Sequence, residues 1–205
     1  WGETVGREYE VALEEAKRRF ELAARVGSPL VVCTPPIEQQ GIETLHEGYS
    51  DLLKIGNAVG GQAVLEYISF FKSLNNVTAA VAEMGRCDPD LQPVTILDAF
   101  HSWNNRTTQE DIAALPLEQI SHYHIDDAAP DIPRFEQKDP DRVMVGDGVI
   151  ALAAELTLLK EKGYDKWLSL ELFSEAWWER DALECAKIGL ERMETLCSEV
   201  GLSVE

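Results

Sequence analysis

Apolar positions along this chain follow two alternating patterns. Residues 7–26 carry Val11, Ala12, Ala16, Phe20, Leu22, Ala23 and Val26 at helical spacing, and Gly27 followed by Pro29 marks the stop. SPLVVCTPP is then a short run rich in β-branched residues, closed by Pro35 and Pro36. The alternation continues with a helix over 43–58, a strand in GQAVLEYI after Gly60 and Gly61, and a helical or mixed stretch over 73–86. Next come the strand PVTILDAFH, a helix from Thr108 to Leu115, the strand EQISHYHID and a polar loop over 127–148. A helix over 149–162, the strand KWLSLELF and a helix over 179–200 complete the pattern. Strands that are almost wholly apolar, separated by helices, predict a parallel sheet covered by helices. The expected class is α/β, of the (β/α)8 TIM-barrel type.

About five strands are visible in this sequence, whereas a full barrel has eight strands and ~250 residues. The expectation is therefore a chain lacking the first three strands, with residues 1–205 forming a single partial barrel domain. The alternative, an open sheet, would leave two strand edges exposed.

Four charged or imidazole side chains change the picture. Glu66 in AVLEYI, Asp98 in VTILDAFH, His124 in ISHYHIDD and Glu171 in WLSLELF each stand near the C-terminal end of an apolar run. Burying such a group is costly unless it is paired, protonated or bound to a metal. In parallel α/β folds the functional site gathers at the carboxyl ends of the strands. Two Glu, one Asp and one His form a donor set suited to one divalent ion: Mn²⁺, Mg²⁺, Co²⁺ or Zn²⁺.

Each signal also has a plainer reading. Ser169, Glu171 and Phe173 share one strand face and the leucines the other, which aims Glu171 into the barrel mouth. A strand-end carboxylate paired with Lys or Arg explains Glu171 or Glu66 alone nearly as well. His122, His124 and Asp126 share a face by period two. His124, nearest the strand end, is the expected ligand, and His122 is read as structural. Asp126 or Asp127 is read as a partner of the site or a helix cap. His101, three residues after Asp98, is placed at the start of a loop near the rim, within reach of a substrate hydroxyl. Trp103, Phe100, Trp177 and Trp178 are candidate pocket walls, although such aromatics more often pack. Arg142 is a candidate for steering an anionic or polyhydroxy substrate, and Gly146-Asp147-Gly148 reads as a tight turn rather than a phosphate loop.

Composition narrows the function classes. With 205 residues, 45% hydrophobic and 27% charged, the chain has the make-up of a globular protein. Its 18 Lys and Arg against 37 Asp and Glu give a net charge of −19. That charge argues against nucleic acid and anionic membrane as partners. No apolar stretch approaches the ~20 residues of a membrane span, and the start WGETVGREYE has no signal-peptide pattern. Cys33, Cys87, Cys185 and Cys197 form no regular framework, which suits reduced thiols in the cytoplasm. Association of identical copies is compatible with the sequence but not read from it.

LDAFH, YHIDDA, DPDRVMVGDG, LLKEKGY and SLELF occur in this order. Together they resemble the xylose-isomerase-like TIM-barrel sugar isomerases and epimerases, and the run from His122 to Trp178 looks most like the inosose (2-keto-myo-inositol) isomerases. The resemblance implies a divalent metal held by Glu66, Asp98, His124 and Glu171, with Glu66 and Glu171 doubling as the acid/base pair. It implies that His101 contacts substrate hydroxyls. The reaction implied is isomerisation or epimerisation of a keto-sugar or keto-inositol by proton transfer through a metal-stabilised enediolate. Val145 replaces the family's usual proline, and Ser174-Glu175 stands where the inosose isomerases tend to carry arginine-proline. Competing readings are a lyase, dehydratase or deglycosidase acting on a 3-keto sugar, a repair nuclease of the same barrel type, disfavoured by the charge, and a non-catalytic chain.

Overall fold

A computed structural model describes residues 9–37 and 45–203. The expected helix starts at 7–8 and 43–44 fall outside the described residues. Two units divide the chain: one runs through Ile96 and takes in Glu118–Ser121, and the other comprises Leu97–Leu117 and everything from His122 onward.

In the first unit, α1 (Tyr9–Val26) buries Ala12 and Phe20, and β1 (Leu30–Cys33) follows. Next come α2 (Leu45–Ala58), β2 (Gln62–Leu65) and α3 (Val77–Met84), started by the Asn76 side chain accepting from Ala79 N. β3 (Val94–Asp98) pairs in parallel with β2, as β2 does with β1. The apolar runs are buried in order, with Ala63, Val64 and Leu65 fully enclosed. Tyr49 locks α2 to β3: its hydroxyl donates to Val94 O at 2.7 Å and accepts from Val94 N at 3.1 Å.

In the second unit, α4 (Ala99–Asn104) grows directly from the end of β3. α5 (Gln109–Ala114) is started by a reciprocal cap between Thr108 and Asp111. β4 (Ile120–Ile125) pairs in parallel with β7 (Leu168–Leu170). α6 (Leu152–Glu161) precedes β7, while α7 (Glu175–Trp178) and α8 (Ala182–Glu199) follow it. A Cβ built on Gly189 of α8 would stand 2.5 Å from Leu170 Cδ2, so a larger residue there requires that leucine tip to move.

β3 and β4 run through both units, and the sheet order is β1-β2-β3-β4-β7, with its registered pairs parallel. The α/β class and all five strands match the expectation. The segment over 127–148 differs, because it contains a small antiparallel pair, β5 (Asp127–Ala128) with β6 (Arg142–Val143). Asp127 organises it: Oδ1 accepts from Ala128 N and Ile150 N, and Oδ2 from Gly146 N and Gly148 N. A side chain at Gly148 would collide with Asp127, so the turn read from the glycines depends on this close approach. Among the described residues, no helix is long and apolar enough to cross a membrane.

Candidate metal centre

Asp98 is the last residue of β3 and fully buried. Its Oδ1 caps α4 by accepting from His101 N at 2.6 Å, and Oδ2 faces His124 Nδ1 at 3.6 Å. His124, on β4, brings the same Nδ1 to 3.2 Å from Glu171 Oε2. Glu171 follows the end of β7, with its backbone N–H donating to Ile125 O at 3.4 Å. One donor atom from each of Asp98, His124 and Glu171 lies within 4.8 Å of the others. In the first unit, Glu66 is buried just past the end of β2, and its N–H donates to Cys33 O at 3.1 Å. The register Leu65↔Thr95 carries Glu66 level with Ile96, two residues before Asp98.

Arg142, at the start of β6, is buried and engaged on several sides. Its Nη1 donates to Asp126 Oδ2 at 2.7 Å and to Glu171 Oε2 at 2.6 Å, and Nη2 donates to Asp139 Oδ1 at 2.9 Å. Nη2 also stands 3.1 Å from His101 Nε2. A guanidinium only donates, so that nitrogen of His101 is the acceptor and the ring proton sits on Nδ1. The rings of Phe100 and Phe173 pack against the guanidinium, at 5.0 and 5.3 Å.

Burial opposes charge at every carboxylate here, and the neighbours decide the outcome. For Asp98, burial pushes the pKa up, but the positive charge that His101 and His124 carry when protonated, together with that of Arg142, holds it well below the usual range. Glu171 is likewise lowered against its burial, by His124 and Arg142. Asp126 goes the other way, raised by burial and by the charge of Asp98. His122 is pushed down to about 4 by burial and by His124. Asp98, Asp126 and Glu171 thus face one guanidinium. A proton on Asp126 or a divalent cation can offset the surplus negative charge. Two carboxylates and a neutral imidazole nitrogen at this separation are suitable donors for such a cation.

The remaining expected residues are placed as follows. His101 is not on a loop: it lies in the first turn of α4 and is 1% exposed. Asp98 starts that helix as its cap, which draws the histidine inward. Trp103, also on α4, carries Arg134 over its ring at 4.8 Å, and its carbonyl accepts from Arg134 Nε. On α7, Arg180 stacks on Trp177 at 4.4 Å, while Trp178 is 62% exposed. Sequence reasoning did not connect Asp139 to Arg142, and it set His122 aside, although its ring touches that of His124. The period-two spacing of the two histidines was the available signal.

A parallel α/β sheet with acidic and imidazole donors at its strand ends defines the class. The chain belongs to the xylose isomerase-like TIM barrel family, whose model matches residues 1–196. It is 29% identical over 189 residues to an inosose isomerase of Halalkalibacterium halodurans, covering 87% of this chain and 65% of that protein. It is 28% identical over 203 residues to an inosose isomerase of Bacillus velezensis, covering 93% and 70%. The chain therefore spans roughly two thirds of the length of these relatives. A crystal structure described as IolI protein with a zinc atom superposes with a TM-score of 0.82 at 27% identity, over 91% of this chain and 69% of that one. An L-ribulose 3-epimerase shares the fold, with a TM-score of 0.73 at 19% identity over 92% and 67%.

Proposed function

We propose that this protein is a divalent-metal-dependent isomerase or epimerase of a keto-sugar or keto-inositol, with residues 1–205 working as one partial barrel domain in the cytoplasm. The convergence of Asp98, His124 and Glu171 carries the reading. Glu66 joins them as the fourth ligand, supported by its register beside β3 and by the family resemblance. Similarity to inosose isomerases supports the substrate class. A bound divalent ion would supply Lewis acidity toward the oxygens of an α-hydroxy ketone.

The protein's own groups do the rest. Glu171, as the carboxylate, takes the proton from the carbon beside the carbonyl. Glu66, carrying a proton of its own, delivers it to the neighbouring carbon or to the opposite face, and proton exchange with solvent then resets the pair. Arg142 keeps Glu171 ionised and fixed in position. His101 and Arg142 handle the substrate's polar groups from the same cluster, and Trp103 walls the pocket.

The test is product analysis with keto-inositols and keto-hexoses, using wild type and Glu171→Gln. Isomerised or epimerised product from wild type, and loss of at least about a hundredfold in turnover for the variant, is expected if Glu171 transfers the proton. A product lacking a β-substituent would move the assignment to a lyase. Turnover of the variant within a few-fold of wild type would remove Glu171 from its role.

A further inference from the structure

His122 precedes His124 by two residues on the same face of β4, is buried, and has no part in the chemistry above. Its Nε2 stands 3.1 Å from Nε2 of His124. The two rings are tilted by 60° with centroids 4.9 Å apart, an approach along ring nitrogens rather than face to face. His124 turns its other nitrogen, Nδ1, toward Glu171 and Asp98.

With a cation held between the carboxylates and His124 Nδ1, these distances leave one consistent set of protons. A neutral imidazole binds a cation through its bare nitrogen and carries its proton on the other. If Nδ1 of His124 faces the cation, Nε2 bears the hydrogen. Two ring nitrogens 3.1 Å apart form a hydrogen bond only when one of them is bare. Nε2 of His122 is then the acceptor, and its own proton sits on Nδ1.

We propose that His122 is a positioning residue that accepts the Nε2–H of His124 and so holds Nδ1 of His124 bare and aimed at a divalent cation. The proposal rests on the metal-centre reading above. A ligand histidine whose outer N–H is anchored keeps both its tautomer and its ring orientation, and removing such an anchor typically weakens metal binding 10- to 100-fold. Here the anchor is a neutral imidazole, so it orients the ring without adding a negative charge to a site already rich in carboxylates.

The experiment is Co²⁺ titration followed by calorimetry and by the visible absorption of the bound ion, on wild type, His122→Gln and His122→Leu. The glutamine amide oxygen can accept at the position of Nε2, and leucine cannot accept at all. His122→Leu should bind Co²⁺ about 10- to 100-fold more weakly with an altered absorption band. His122→Gln should recover most of the affinity and the wild-type band. Thermal unfolding of the metal-free proteins checks that both variants fold. If leucine and wild type bind alike, the positioning role is overturned while the metal centre stands. If glutamine and leucine lose affinity equally, His122 only fills space and the proposal is again overturned. If wild type binds no Co²⁺, the metal centre and the role of His122 fall together.

Discussion

The two faces of β4 bury ionisable groups to a similar depth and treat them differently. On one face, His124 and Asp126 meet Asp98, Glu171 and the guanidinium of Arg142. On the other, Tyr123 donates to a single buried carboxylate, Glu155 of α6, at 2.7 Å. Asp98 is held well below the usual carboxylate range despite complete burial. Burial pushes Glu155 up from 4.5 to about 7, and the Tyr123 hydroxyl only partly counters it. A neutral hydroxyl cannot replace the field of a cation at the cost of desolvation. Depth alone therefore says little about charge state, and what faces the carboxylate decides it. That separates a site poised for a cation from a buried acid that mostly packs.

The largest expected effect comes from removing the cation that balances the first face. Arg142→Met strands Asp126, Glu171 and Asp139 beside one another. Breaking a buried pair in this way costs about 3–5 kcal/mol, to be read from urea unfolding of the metal-free protein. A loss below about 1 kcal/mol would mean the guanidinium is no structural hub, and the contrast between the faces would fail.

A smaller effect, of opposite sign, belongs to the second face. Below pH 4.5 Glu155 is protonated whether the chain is folded or not, so it carries no penalty. Between 4.5 and about 7 the unfolded chain ionises while the folded one keeps its proton, and stability falls as pH rises. The accumulated penalty is up to about 3 kcal/mol above pH 7. Glu155→Gln should remove it, so the variant is more stable than wild type at pH 8 and equal to it near pH 4.5. A difference that does not vary with pH would contradict this account of Glu155.

What was legible in the sequence follows from how local each signal is. The strands stood out because runs such as AVLEY and VTILD are apolar on both faces. Glu66, Asp98, His124 and Glu171 stood out because a charge inside such a run breaks its pattern. α4 did not, because six residues hold too little periodicity, and the helix depends on the Asp98 cap and on burial of Phe100. The hairpin of β5 and β6 was read as polar loop because each strand is two residues long and its stability comes from Asp127 gathering four backbone N–H groups. Arg142 showed as a candidate but not as a hub. Its partner Asp126 lies 16 residues away, and an arginine in a polar segment looks solvated until the fold closes around it.

The central claim is that Asp98, His124 and Glu171 converge in order to hold a divalent cation. Elemental analysis of purified protein, after exposure to Mn²⁺, Co²⁺, Zn²⁺ or Mg²⁺ and removal of the excess, tests it most directly, beside the Asp98→Ala/His124→Ala double variant. The account predicts about one equivalent of metal in the wild type, as expected for a single mononuclear centre, and none in the variant. Failure of the wild type to retain any of these ions, or equal loading of the variant, would contradict it.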